Sequence, residues 1–557
     1  MWLSLASSAL CITVMFIISW ISALIIFAFF FLVFVYMNHR HVGKINVLFF
    51  SEVNWGSSIQ ANTYRIALTS LLKLSNIEEH VKNYRPQILL MTGNPAARST
   101  LLDFAYSITK DNSLLIAAHV VPYAPCERLF AVVRRLDVQI TTWLLANKIK
   151  AFYLPFANEN VRSGAQHLLQ IAGLGKLRPN ILMLGFKSNW NRRGVDGLQA
   201  TLDYVGIIKD AFENNFGVGI LRNGNEGFDL SEKLLELNVC DITALKHHNS
   251  ESANGSLKGR DNASFLDKEH INDETSFSDS IDSRRLNRED TDFVDVDSGY
   301  HVDLVKTNTV YRRTTKFFAD SVVFNSEKSR SDEDLKSSLS KKRGFKTSIL
   351  TEKQKKLAIQ MNRFHRKVKN GVIDVWWLYD DGGVTLLIPH LLRLPKAYLE
   401  GAKLRVFTQA SSEACTKADE RNMAAMLSKF RIEYADVRII PDISRPPSQA
   451  TLDLFLKIRD FEEIIEPMRA RENDSRLGLI TDFDLSSQKC RTFRQLRTKE
   501  LLQQHSSNAD LIVITLPVPR LEINSCLYMA WLDSMTRGLP PVLMVRGNQT
   551  SVLTFYS

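Results

Sequence analysis

Residues 2–37 contain no charged side chain, and this run constrains the chain more than any other feature. Wound as one helix it would be about 54 Å long, against a hydrocarbon core of ~30 Å. Two short membrane helices turning near Ser19-Trp20 fit that length; one steeply tilted helix is the other arrangement. A cleavable signal peptide fits poorly, because the apolar stretch is too long, no basic segment precedes it and no small-residue cleavage site follows. Arg40, His41 and Lys44 come directly after the run, so the positive-inside bias places the remainder in the cytosol. The six cysteines are scattered with no CxxC pair, as expected of reduced thiols and not of a structural zinc site.

The 557 residues suffice for about three or four domains at ~150 residues each. With 45% hydrophobic and 23% charged residues, a collagen-like, wholly disordered or disulfide-scaffold chain is excluded. The net charge of +10 is spread over the whole chain. It reads as an ordinary surface, and no nucleic-acid partner is expected.

Beyond the membrane segment (residues 1–40) and a connector (41–84), short apolar runs alternate with amphipathic helical patterns. Runs at 87–91, 114–118, 152–154, 181–185 and 217–221 read as five strands. Helical patterns lie near 101–105, 140–147, 164–172 and 198–212. The same order recurs at 372–378, 404–407, 437–440, 511–515 and 542–545, with helices through 386–391, 419–430, 492–505 and 526–535. Fully apolar strands separated by amphipathic helices require a parallel sheet covered on both faces. The fold class is therefore α/β, with two tandem doubly wound units at 85–245 and 372–557, each expected to close its own sheet.

Between the units, residues 246–343 are dominated by Ser, Asp, Asn and Glu without periodicity, the composition of a disordered linker. Its Ser residues beside acidic stretches, such as Ser331, are phosphorylation candidates; solvated polymer is the plainer reading. A basic stretch (344–371) follows, read as a helix that either docks on the second unit or lies on anionic lipid. The apolar run 45–50 is too short to span a membrane and reads as an interfacial segment or a local insertion.

Candidate chemistry is sparse. Thr92-Gly93-Asn94-Pro95 and Asp380-Asp381-Gly382-Gly383 each follow the first strand of a unit, where doubly wound sheets bind ligands. Neither is GxGxxG, and no GxxxxGK[ST], HExxH or GxSxG occurs. Asp380 and Asp381 could hold a metal, but turn and cap chemistry explains them without one. Gly173-Leu174-Gly175 is better read as a helix C-cap than as a phosphate loop. Consequently no catalytic, cofactor-binding or metal-binding residue is assigned, no cofactor is expected, and the chain is not read as an enzyme.

Specific strings carry more. Val53-Asn54-Trp55-Gly56-Ser57-Ser58, the run from Asp374-Val375-Trp376-Trp377 through Asp380-Asp381-Gly382-Gly383, and Leu527-Tyr528-Met529-Ala530-Trp531-Leu532 are long and unusual. So is the terminal stretch from Val545-Arg546-Gly547-Asn548 to Thr554-Phe555-Tyr556-Ser557. They resemble the cation–chloride cotransporter family, in its sodium–potassium–chloride branch, over nearly the whole chain outside the linker. The resemblance implies a plasma-membrane, multi-pass protein whose carboxyl-terminal region is cytosolic, with two stress-protein-like α/β halves. It also implies a carboxyl-terminal dimerisation and regulatory region of an electroneutral symporter that serves chloride and cell-volume homeostasis.

Residues 2–37 resemble only the last two membrane helices of that family, so no ion-site residue is carried onto this sequence. Sodium, potassium and chloride are expected as partners of the full-length protein alone. A homodimer, regulatory kinases and phosphatases, and membrane lipid are the other expected partners. Leu543, Val545, Val552, Leu553 and Phe555 are candidates for the dimer interface or, equally, for the core packing of a last strand. The alternative function is a membrane-tethered nucleotide-binding sensor with a stress-protein-like fold.

Overall fold

The computed structural model describes residues 13–39, 58–78, 83–110, 112–122, 129–192, 194–230, 360–410, 416–440, 461–470, 478–520 and 522–552, with residues 7, 10 and 80. The linker, the run 45–50, the string 53–57 and Leu553 and Phe555 lie outside these residues, as does most of the basic stretch. The chain forms two compact units, Met1–Glu78 with Leu174–Leu177, and Glu79–Gly173 with Arg178–Ser557.

In the first unit a short helical stretch, 13–18, ends at Ser19. The Ser19 amide donates to the Met15 carbonyl (3.2 Å), and Ser19 Oγ accepts from the Ser22 amide (3.4 Å), so Ser19 closes one helix and caps the next. Phe16 then stacks on Phe27 with ring centroids 5.9 Å apart. In a straight helix eleven residues would separate them by about 16 Å. The chain therefore changes direction at Ser19, which is the first of the two arrangements that the length of the uncharged run allows. Helix α1 (Trp20–His39) follows, with Ile25, Phe29, Phe30 and Phe31 exposed. Among the described residues no helix is long and apolar enough to cross a membrane. Helix α2 (Ser58–Asn76) lies within what the sequence marked only as a connector, and exposes Tyr64, Ile66, Leu68 and Leu72.

The second unit is built on strands β1 (Ile88–Met91), β2 (Leu115–Pro122), β3 (Phe152–Asn158), β4 (Ile181–Gly185) and β5 (Gly217–Arg222), then β6 (Val372–Trp377), β7 (Lys403–Gln409), β8 (Asp436–Ile440), β9 (Leu511–Thr515) and β10 (Val542–Arg546). All ten match an apolar run of the sequence. The interleaved helices are α3 (Ser99–Thr109), α4 (Leu129–Ala146), α5 (Val161–Ile171) and α6 (Val195–Glu213) in the first half. The second half holds α7 (Val384–Leu392), α8 (Thr416–Lys429), α9 (Asp482–Ser487), α10 (Lys489–Ser506) and α11 (Ser525–Thr536). Helix α4 begins eleven residues before its apolar pattern, because Arg134, Arg135 and Asp137 dilute its first turns.

The expectation that each half closes its own sheet is overturned. A single ten-stranded sheet runs in the order β3-β2-β1-β4-β5-β10-β9-β6-β7-β8. Read from its outer edge inward, each half has the doubly wound order 3-2-1-4-5. Pairing is parallel except at the centre, where β10 runs antiparallel to β5, with Ile220 opposite Met544 and Leu221 opposite Leu543. The halves are thus related by a pseudo-twofold axis through the seam. Pairing the two fifth strands removes two open apolar edges that would otherwise invite association. Leu543 and Val545 are fully buried and Val552 is 6% exposed, so of the two readings of these residues the structure takes the core of a last strand.

In the described part of the basic stretch, residues 360–361 are helical and turns follow. Phe364 there packs between Phe104 of α3 (5.1 Å between centroids) and Tyr398 (5.3 Å), joining both halves.

Candidate functional site

Each half has a switch point where strand order reverses, between β1 and β4 and between β6 and β9, and ligands of such sheets sit outside the carboxyl ends of those strands. The first opens after Met91. Gly93 adopts φ +62° there, in the left-handed region. Arg98 donates from one guanidinium nitrogen to the Thr92 carbonyl (3.1 Å) and from the other to Asp229 (3.2 Å). The chain leaving β5 returns across this mouth. The Leu230 amide donates to the Ala97 carbonyl (3.1 Å), and Phe228 lies so close to Gly185, at the end of β4, that a Cβ there would meet its ring at 2.9 Å. Beside it His119 bonds through Nδ1 to the Tyr153 hydroxyl (2.8 Å). Burial, helped by the Arg98 charge, pushes its imidazole down to about 4.

The second switch point holds Asp380-Asp381-Gly382-Gly383. The Asp380 side chain only accepts from the Gly382 amide (3.0 Å). Asp381 is fully buried. One of its oxygens accepts from the Gly383 amide (3.1 Å). The other accepts from the Thr385 amide (3.1 Å), the Thr385 hydroxyl (2.6 Å) and the Gly547 amide (3.3 Å). Four donors on one carboxylate fit an anchor for the turn and for the segment leaving β10, and leave little capacity for a cation. That segment covers the mouth as its counterpart does in the first half. The Val552 amide donates to the Gly382 carbonyl (2.9 Å), and a Cβ on Gly382 would lie 2.1 Å from the Thr550 carbonyl oxygen. Among the described residues no group of three His, Cys, Asp or Glu side chains could hold a metal ion.

The seam between halves holds charges whose pairing sequence reading missed. Arg222, the last residue of β5, donates to Asp533 Oδ1 (2.7 Å) and to the Thr536 hydroxyl (2.8 Å). The other Asp533 oxygen accepts from the Trp190 indole (3.0 Å) and from Arg537 (2.7 Å). Burial pushes the Asp533 carboxyl up, yet Arg537, Arg222 and Trp190 together outweigh it and hold it below the usual carboxylate range. The signal was present: Arg222 ends an otherwise apolar strand, and Asp533 interrupts the apolar run Met529-Ala530-Trp531-Leu532. An open cavity of about 420 Å³ is lined by Lys209, Phe212, Glu213, Pro519, Arg520 and Glu522. Its two cations and two carboxylates balance, and they present no convergent chemistry.

Residues 98–557 match the family described as SLC12, solute carrier family 12. The chain belongs to that family. It is 35% identical over 569 residues to solute carrier family 12 member 2 of Squalus acanthias, covering 100% of this chain and 42% of that protein. It is 35% identical over 574 residues to member 2 of Homo sapiens (100% and 41%), and 35% identical over 584 residues to member 1 of Mus musculus (100% and 45%). The chain thus spans less than half the length of the curated relatives it matches. The crystal structure of the cytoplasmic domain of a prokaryotic cation chloride cotransporter aligns with 84% of this chain and 99% of that chain, at 10% identity and a TM-score of 0.34. The cotransporter resemblance of the strings quoted above agrees with membership of solute carrier family 12, whose named relatives are carriers and not enzymes.

Proposed function

We propose that this chain is the carboxyl-terminal dimerisation and regulatory region of an electroneutral sodium–potassium–chloride symporter of the plasma membrane, with its α/β unit in the cytosol. The observation that carries this reading is the 35% identity over the whole chain to members 1 and 2 of solute carrier family 12. The architecture supports a regulatory body over a ligand-converting one: both switch points are covered by the chain's own returning segments. The same cover weighs against the alternative of a nucleotide-binding sensor.

In this reading the whole protein moves sodium, potassium and chloride, while this region assembles two copies and receives regulatory input. Kinases and phosphatases acting on the Ser-rich linker, and lipid at the basic stretch, belong to the same proposal. Sedimentation of residues 85–557 at micromolar concentration tests the dimer: a mass of two chains is expected, and a monomeric mass contradicts it. A chimera carrying this chain in place of the corresponding region of a member 2 relative tests regulation. Rubidium uptake should be retained and should respond to truncation of residues 246–343. Vesicles reconstituted with this chain alone should show no flux above protein-free vesicles.

A further inference from the structure

Helix α3 carries a carboxylate in an apolar setting. Asp103 is 4% exposed between Leu102 and Phe104, and its Oδ2 has no hydrogen-bond partner. Its Oδ1 lies 3.8 Å from Nδ1 of His365, whose side chain is half exposed. His365 sits in residues 360–368, the first described stretch after the long linker, and its neighbour Phe364 is wedged between Phe104 and Tyr398. The Val368 amide donates to the Tyr398 carbonyl (2.7 Å) at the far end of the stretch. A buried carboxylate in the first half thus meets an imidazole on the segment that leads into the second half.

We propose that Asp103 and His365 form a proton-gated clasp that fastens residues 360–368 onto the first half of the sheet. A buried carboxylate is tolerated when paired or neutral and is costly when charged and alone. With a proton on the pair, either an imidazolium faces the carboxylate or a neutral carboxyl faces the neutral ring. Without it, a charged carboxylate with one orphaned oxygen faces a neutral ring. The half-exposed ring can then turn to water, and the stretch loosens.

The other charged and titratable groups around the clasp have partners of their own. Arg363, Arg366 and Lys367 lie on the same stretch, and the Arg363 charge acts on Tyr398. Lys110, at the end of α3, feels Lys367, Glu400 and Lys396 and donates to the Pro395 carbonyl (3.0 Å). His390 of α7, which packs on α3, responds to burial, Arg393 and Glu433. Burial pushes the Asp103 carboxyl up against the partial relief that His365 gives, and the facing Asp103 carboxylate pushes His365 up against its own burial. Both shifts are upward, so both groups hold their proton better in the folded state. The clasp is therefore complete in mild acid and is lost as pH rises through the raised pKa of His365, above its ordinary ~6.5. The inference does not depend on the transport reading.

Hydrogen exchange followed by mass spectrometry on the full chain in detergent, from pH 6 to pH 9, tests it, with each amide corrected for its intrinsic rate. In the wild type, protection of 360–368 relative to β5 and β10 should fall with rising pH, by up to about tenfold per unit, the limit for one proton. Asp103→Asn removes the charge and should flatten that dependence. His365→Gln should leave the stretch open already at pH 7 and move its closure to lower pH. Seam protection equal to wild type shows that each variant folds; if Asp103→Asn lowers it, the surface change His365→Gln decides. A flat wild-type profile, or a profile in His365→Gln that follows the wild type, overturns the clasp.

Discussion

The two halves share one strand order and one habit: the segment leaving each fifth strand folds back over the switch point of its own half. They seal it differently. In the first half the cover is an apolar wedge, Phe228 against Gly185, with the exposed ion pair Arg98–Asp229 at its rim. In the second it is a polar lock, with the buried Asp381 carboxylate gathering four donors and backbone packed so tightly that Gly382 and Gly547 have no room for a Cβ. Equal topology therefore does not imply equal sensitivity. An apolar wedge weakens gradually with lost contact area, whereas a buried charge fails when its partners are removed.

The largest effect is expected where the halves meet. Arg222→Ala or Asp533→Ala should each lower unfolding stability by about 3–5 kcal/mol, because either leaves a buried charge unmatched. Denaturant midpoints check this, and Arg222→Met combined with Asp533→Leu should cost less than the sum of the single changes. Next comes the polar lock. Asp381→Ala, which orphans up to four donors, should cost about 3 kcal/mol and raise hydrogen exchange over 547–552. If Arg98→Ala in the first half cost as much, the contrast between wedge and lock would collapse. It should instead stay within about 1 kcal/mol of wild type, since that pair is exposed.

Acid should separate seam from wedge as well. Asp533 is held below its ordinary range, so its contribution is present above its unfolded value of ~3.9 and is lost as pH falls through the still lower folded one. Phe228 has no such dependence. Hydrogen exchange near β5 and β10 should therefore rise below about pH 4, before it rises at residues 226–230. The smallest effect belongs to the linker. Replacing residues 246–343 by a short Gly/Ser connection should leave the melting temperature nearly unchanged, because closure entropy varies by only ~0.6 kcal/mol per doubling of loop length.

Much of this was legible in the sequence. Ten apolar runs gave ten strands because strands buried on both faces need no alternating pattern and stand out against the helices between them. The turn at Ser19 was one of the two arrangements that the length of the uncharged run allowed. The seam was not legible: nothing in Gly217-Val218-Gly219-Ile220-Leu221 or in Val542-Leu543-Met544-Val545 says which strand each will pair with, since edge pairing is a tertiary choice between equally apolar edges. Helix α2 lay inside the stretch read only as a connector, and its apolar residues are largely exposed. The covers over the switch points were hidden for another reason. The glycines that permit them, Gly185, Gly382 and Gly547, read equally well as loop or strand-end glycines until Phe228 is placed against the first and backbone against the other two.

Cutting the chain within residues 246–343 tests most directly whether the two halves are one body. A protease site placed there divides the protein into a piece carrying residues 1–245 and a piece carrying 344–557, joined among the described residues through the β5–β10 seam, the packing of α7 on α3 and the contacts of Phe364, His365 and Pro395 with the first half. After cleavage in membranes or detergent, the second piece should remain bound to the first through sedimentation and gel filtration, with β5 and β10 amides as protected as in the intact chain. Release of the second piece as a folded soluble protein would contradict the continuous sheet.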